Sequence, residues 1–263
     1  MKATKKLKKV LCTGLVGGLI LGCLAGCGNT KESTTQTSEE VTTTPQETSN
    51  TPSAIDTDTP SAPQEEVVFY GPEDKNCTSY VIPEGVTVIG KEAFENCTSL
   101  TSVEIPNSVT KIDDYAFYKC SALTSVEIPN SVTVIGASAF NSCSSLASVE
   151  MPNSVAEIGG AAFYECTSLI SIKIPNGVTV IGYNTFHGCS SLTSVEIPDS
   201  VTEIGKQAFP ACSSLTSIEI PKSVTEVGGA AFYECYSLQT IKVPEGMDVS
   251  GWGLSDSVQI IYY

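Results

Sequence analysis

The 263-residue chain contains no arginine and a single histidine. Its 14 basic residues are all lysines, set against 29 acidic residues for a formal net charge of −15. An acidic chain without guanidinium groups has no basic face to neutralise a phosphate backbone. This argues against nucleic acid as a partner, and against docking on anionic lipid headgroups through a folded face. The one histidine, His187, has no nucleophile and orienting acid placed with it, so a catalytic relay has no parts. Phosphate-binding loops, nucleophile elbows and metalloprotease helices are missing too, and the chain offers no enzyme motif. Glutamate pairs working as acid and base would need a concave pocket, which regular columns of residues do not suggest. The long apolar run, Val10 to Ala25, is shorter than the roughly 20 residues of a membrane crossing and is broken by Gly14, Gly17, Gly18 and Gly22.

What the chain does contain is repetition at a strict period of 23 residues. The cysteines Cys97, Cys120, Cys143, Cys166, Cys189, Cys212 and Cys235 mark it, in register with Phe94, Phe117, Phe140, Phe163, Phe186, Phe209 and Phe232. Prolines run in the same register from Pro83 to Pro244. Such regularity predicts a solenoid.

Within one repeat, Leu100, Val103 and Ile105 define a strand ended by Pro106, and alternation turns Val103 and Ile105 inward and Ser102 and Glu104 outward. A second extended piece covers Val109 to Ile112, and Ala116-Phe117-x-x-Cys120 is expected to begin a short helical turn. One coil cannot fold alone, because ordering its backbone costs as much as its apolar burial returns. Parallel stacking lets each coil cover its neighbour, and the crossover rule makes the stack right-handed. Gly90, Gly136, Gly159, Gly182, Gly205 and Gly228 follow the second strand, with Asp113 the exception, which suggests a bend at positive φ. The column Ala93, Ala116, Ala139, Ala162, Ala208 and Ala231, broken by Thr185, marks close packing. The cysteines read as a buried, reduced ladder: parallel Cβ vectors oppose disulfides, and gaps of 23 are not zinc spacings. Cys77 stands outside the ladder as a capping residue.

The ends differ. Lys2, Lys5, Lys6, Lys8 and Lys9 precede the apolar run, as in a secretory signal. Leu24-Ala25-Gly26-Cys27 then resembles the lipobox of bacterial lipoproteins, which implies cleavage of residues 1–26 and lipidation of Cys27. Ile20-Leu21-Gly22-Cys23 is a poorer match because Leu21 is bulky, and an ordinary cleaved signal is the plain alternative. Cleavage removes five lysines and no acids, leaving nine lysines against 29 acids, a balance of −20. Residues 27–66, rich in Thr, Ser, Pro and Glu, are expected to form a disordered tether reaching about 35 Å as a flexible coil and about 130 Å at full extension. Residues 67–263 form the repeat domain: seven full repeats, a covering strand at Val67–Tyr70, and a C-terminal cap with Trp252 and a last strand at Val258–Tyr262.

The consensus Ile-Pro-x-Ser-Val-Thr-x-Ile-Gly-x-x-Ala-Phe-x-x-Cys-x-x-Leu closely resembles the bacterial surface-antigen, or BspA-like, type of leucine-rich repeat, from Ile82 to Val243. The resemblance implies a leucine-rich repeat solenoid, β-rich with parallel stacked strands and short helical turns. It also implies a cell-surface or secreted protein, often a lipoprotein, that takes part in attachment to host or bacterial macromolecules, and it implies neither an enzyme nor a particular ligand.

The outward strand column Val81, Glu104, Glu127, Glu150, Lys173, Glu196, Glu219 and Lys242, flanked by Ser102, Ser125 and Ser148, is the candidate binding strip. It is either a solvated sheet face or a surface for a basic protein segment, a glycan, or Ca²⁺ between Glu104, Glu127 and Glu150. Tyr118, Tyr164 and Tyr233 are a weaker candidate for sugar stacking, and His187 shares their column, expected to be exposed. The functional expectation is a monomeric, extracytoplasmic lipoprotein without cofactor, held on the membrane by lipid on Cys27 and binding an extracellular or envelope protein or glycan. The alternative is a purely structural envelope protein.

Overall fold

The computed structural model describes residues 65–263. The expected signal segment, Cys27 and the tether up to residue 64 lie outside the described residues. In chain order the strands are β1 (Val68–Phe69), β2 (Ser79–Val81), β3 (Val88–Ile89), β4 (Ser102–Glu104), β5 (Lys111–Ile112) and β6 (Ser125–Glu127). They continue as β7 (Val134–Ile135), β8 (Ser148–Glu150), β9 (Glu157–Ile158), β10 (Ser171–Lys173), β11 (Val180–Ile181) and β12 (Ser194–Glu196). The last are β13 (Glu203–Ile204), β14 (Ser217–Glu219), β15 (Glu226–Val227), β16 (Thr240–Val243) and β17 (Gln259–Tyr262).

The paired strands are all parallel, and successive coils match at the repeat offset, Ser125 opposite Ser148 and Ile112 opposite Ile135. Even-numbered strands stack in one row, paired as β2–β4, β6–β8, β10–β12 and β14–β16, and ended by β17 beside β16. Odd-numbered strands stack in the other, as a five-stranded sheet begun by β1 beside β3 and ended by β9, followed by the three-stranded sheet β11-β13-β15. Both expected covering strands are therefore present. The β-branched residues suit the half-buried pleat: Val103, Val126 and Val149 point inward while the serine and glutamate on either side are exposed.

The segment between the second strand and the cysteine corrects one expectation: the described residues contain no helix, and this stretch is a chain of tight turns. Ala116, Tyr118 and Cys120 donate their N–H groups three residues back, to Asp113, Tyr115 and Phe117. Tyr115, Phe117 and Lys119 donate to the next coil instead, at 2.9 Å to Ala137 O, 2.7 Å to Ala139 O and 2.8 Å to Asn141 O. Sending alternate amides outward forces Tyr115 and Lys119 to φ of 56° and 58°. Helix formation would keep those amides within the coil. The stack wins because the turn then acts as a third ladder, with every second N–H group aimed at the C-terminal neighbour. At the opposite end, where the carbonyls face out, Lys75 Nζ donates to Glu95 O at 2.7 Å.

The glycine column is also there for a different reason than bending. The left-handed residues fall two and six positions later, and Gly159 and Gly228 are not among them. A Cβ on Gly228 would lie 2.2 Å from Lys206 N, and one on Gly159 would lie 2.4 Å from Ala137 N. Close approach of consecutive backbones therefore excludes the side chain. In the coil with Asp113, the carboxylate is used locally, 3.1 Å from Lys111 Nζ and accepting the Asp114 N–H at 2.9 Å.

Inside the stack the seven phenylalanines of the repeat are buried and lie face over face, with centroids 4.9 Å apart for Phe94 and Phe117 and 5.6 Å for Phe209 and Phe232. Phe69 and Tyr80 close this column at one end and Trp252 at the other, 5.9 Å from Phe232. Thr185, the break in the alanine column, is buried with its hydroxyl donating to Gly182 O at 2.9 Å. Among the described residues the seven ladder cysteines and Cys77 are buried and form no disulfide. They also do more than fill space: each thiol from Cys120 to Cys235 donates to the phenylalanine carbonyl of the preceding coil, as Cys166 Sγ does to Phe140 O at 3.2 Å.

Candidate functional site

The even-numbered strands display the predicted strip side by side, with Glu127 opposite Glu150 and Lys173 opposite Glu196. Charges along it are unevenly compensated. Lys173 Nζ lies 3.1 Å from Glu196 and Lys242 Nζ lies 3.2 Å from Glu219. Both pairs are exposed, so each is worth little in stability, but each neutralises a carboxylate. Among the described residues no lysine pairs with Glu104, Glu127 or Glu150.

A groove of about 510 Å³ runs across these three coils. Glu104, Glu127 and Glu150 line it together with Asn107, Asn130 and Met151, while Ile105, Ile128 and the prolines Pro129 and Pro152 supply apolar wall. The structure thus brings together three of the predicted residues. Ser102, Ser125 and Ser148 stand at the far ends of the same strands, and Lys173, Glu196, Glu219 and Lys242 continue the column away from the groove. Asn107, Asn130 and Met151 were missed. The Pro-Asn that follows β4, β6, β8 and β10 was the available signal, since the proline ends the strand and the chain folds back to put Asn107 and Asn130 beside the glutamates.

A family profile described as BspA type leucine rich repeat region matches residues 65–193 and 156–253, in six copies. The chain belongs to this family. Among solved structures, a leucine-rich repeat protein of T. pallidum is 34% identical, with 66% of this chain and 71% of that one covered and a TM-score of 0.51. A leucine-rich repeat protein of Eubacterium ventriosum is 26% identical over 67% of this chain and 47% of its own, at a TM-score of 0.56. A leucine rich cell surface protein of Faecalibacterium prausnitzii is 30% identical over 70% of this chain and 59% of its own, at a TM-score of 0.47. No curated protein matches the chain.

In this BspA-type stack the three groove glutamates project in parallel. Among the described residues no three His, Cys, Asp or Glu side chains come together to hold a metal ion, so the Ca²⁺ reading lacks a ready ligand set. His187 is half-buried, contrary to the expected exposed position, because its ring stacks on Tyr164 at 4.6 Å and 16°. Its Nδ1 is buried without a hydrogen-bond partner, so no acid orients it. Tyr118 meets Tyr115 edge-on at 5.7 Å, and Tyr233 is exposed.

Proposed function

We propose that this protein is an extracytoplasmic, lipid-anchored scaffold of the bacterial envelope that attaches to another macromolecule, protein or glycan, through the glutamate groove. The supporting observation is the coincidence of the groove with the three carboxylates that have no lysine partner. Three like charges at strand spacing repel each other modestly in water, and a basic protein segment laid along the strands would relieve them. Family membership supports a scaffold that binds and does not catalyse.

Replacing Glu104, Glu127 and Glu150 together by glutamine tests this. At ~0.2–1 kcal/mol for each exposed pair, the variant should bind a lysine-rich partner about 3- to 100-fold more weakly, with unchanged strand signal in circular dichroism. Affinity that ignores the substitutions would place binding elsewhere. The anchor has its own check: Cys27→Ser should move the protein from the membrane fraction to the soluble fraction, because a polypeptide lacking both acyl chains keeps no stable hold on the bilayer. Retention in the membrane fraction would refute lipidation at Cys27.

A further inference from the structure

The two strand ladders stop at different coils, and this leaves a second groove. The even-numbered ladder continues from β16 to β17, whereas the odd-numbered one ends at β15, with no strand beyond it in its sheet. One coil earlier, the segment around β13 offers two carbonyls to the segment around β15. Thr202 O accepts from Thr225 N–H at 2.8 Å, and Ile204 O accepts from Gly228 N–H at 2.7 Å. The equivalent carbonyls of Thr225 and Val227 are the last of the row, and no strand among the described residues follows to donate to them.

Beside that edge, between β15 and the cap, lies a groove of about 500 Å³, within the range of ligand-binding clefts. Its apolar wall is Val227, Met247 and the buried ring of Trp252. Its rim is acidic, with Glu226, Glu245 and Asp248. Asp248 accepts hydrogen bonds from the Ser250 N–H and hydroxyl, which hold its carboxyl below the usual range and keep it charged.

We propose that this open edge binds an extended, lysine-bearing peptide segment as an added parallel strand. The peptide's amides complete the ladder at Thr225 and Val227. Alternation puts one set of side chains against Trp252 and Met247, and the other, carrying the lysines, toward Glu226 and the acidic rim. The acceptor row supplies affinity for any extended backbone, and the rim selects basic over acidic sequences. The site is separate from the glutamate groove on β4, β6 and β8.

The test uses the protein without its signal segment and a fluorescent peptide alternating lysine and valine, followed by polarisation. Binding should weaken with salt, disappear when alternate peptide amides are N-methylated, and fall about tenfold or more in Glu226→Lys/Glu245→Lys. It should be unchanged in the Glu104→Gln/Glu127→Gln/Glu150→Gln variant, which separates this site from the other groove. Absence of binding, indifference to N-methylation, or loss in the triple glutamine variant would each overturn the proposal. Circular dichroism of Glu226→Lys/Glu245→Lys must match the parent protein, and the N-methylated peptide decides the matter without any change to the protein.

Discussion

Raising the pH above about 8.5 is expected to destabilise the repeat domain progressively, because its buried thiols resist ionisation. Burial pushes the thiols of Cys189 and Cys235 up to about 12. It raises Cys143, Cys166 and Cys212 as well, and Cys120 is raised first by the neighbouring Cys143 thiol and then by burial. In the unfolded chain these thiols ionise near pH 8.5. Between the two values the unfolded state gives up protons that the folded state keeps. It therefore binds fewer protons, and stability falls as pH rises. The contribution is complete below about pH 8.5 and is lost progressively toward pH 12. Each thiol that the fold keeps protonated above the unfolded value lowers stability by ~1.4 kcal/mol per pH unit, so Cys189 and Cys235 alone give a slope of about 3 kcal/mol per unit and the other raised thiols steepen it further. A total stability of ~5–15 kcal/mol is then eroded within a few units above pH 8.5. Urea midpoints followed from pH 7 to 10 read this slope directly. Cys166→Ala/Cys189→Ala should start lower, because two small cavities are opened, yet decline less steeply with pH. An unchanged slope would show that the buried thiols do not govern the alkaline limit.

Much of this architecture could be read from spacing alone, for a physical reason. Strand side chains alternate with period two, and the repeat fixes which residue stands above which, so the inward column with Val103 and Val126 and the outward one with Glu104 and Glu127 followed without coordinates. The turn did not. Ala116-Phe117-x-x-Cys120 has the spacing of a helical face, and what decides against helix is the set of amides from Tyr115, Phe117 and Lys119 that bond to the next coil. Those bonds exist only once the stack exists. The left-handed positions carry Glu92, Tyr115, Ser138 and Ala161, residues with no shared preference for positive φ, so composition gave no warning. For the same reason Gly159 and Gly228 were assigned to a bend when their role is contact. At the candidate sites, the glutamates were evident from their column, but the asparagines beside them depend on how the chain folds back after each proline. The C-terminal groove was hidden altogether, because it arises where Gly246 to Tyr263 leaves the repeat and extends the even-numbered strands and the turns but not the odd-numbered strands.

Phe163→Ala is expected to cost about 3–5 kcal/mol, a large part of what a domain of this size has to lose. The ring is wholly buried at the middle of the stack, with centroids 5.4 Å from Phe140 and 5.6 Å from Phe186. Truncation removes two parallel ring contacts and leaves a cavity that the neighbouring coils resist filling, because β6–β8 and β7–β9 pair toward one neighbour while Ala161, Phe163 and Glu165 donate their N–H groups to Tyr183 O, Thr185 O and His187 O of the other. The position matters as much as the ring. In a solenoid each coil touches only its neighbours, so weakening one central interface uncouples the coils before it from those after it. Urea unfolding is expected to be a single transition in the parent protein and to divide into two in Phe163→Ala, with the first midpoint lowered by roughly 1–3 M. Phe163→Leu keeps most of the apolar volume but loses the ring faces, and should cost only ~1–2 kcal/mol and preserve the single transition. Phe232→Ala removes a ring at the end of the column, next to Trp252, and should loosen the cap while the remaining coils unfold together. If Phe163→Ala and Phe232→Ala gave the same midpoint and one transition each, the domain would be behaving as a single cooperative core, and nearest-neighbour stacking would be the wrong account of what holds it together.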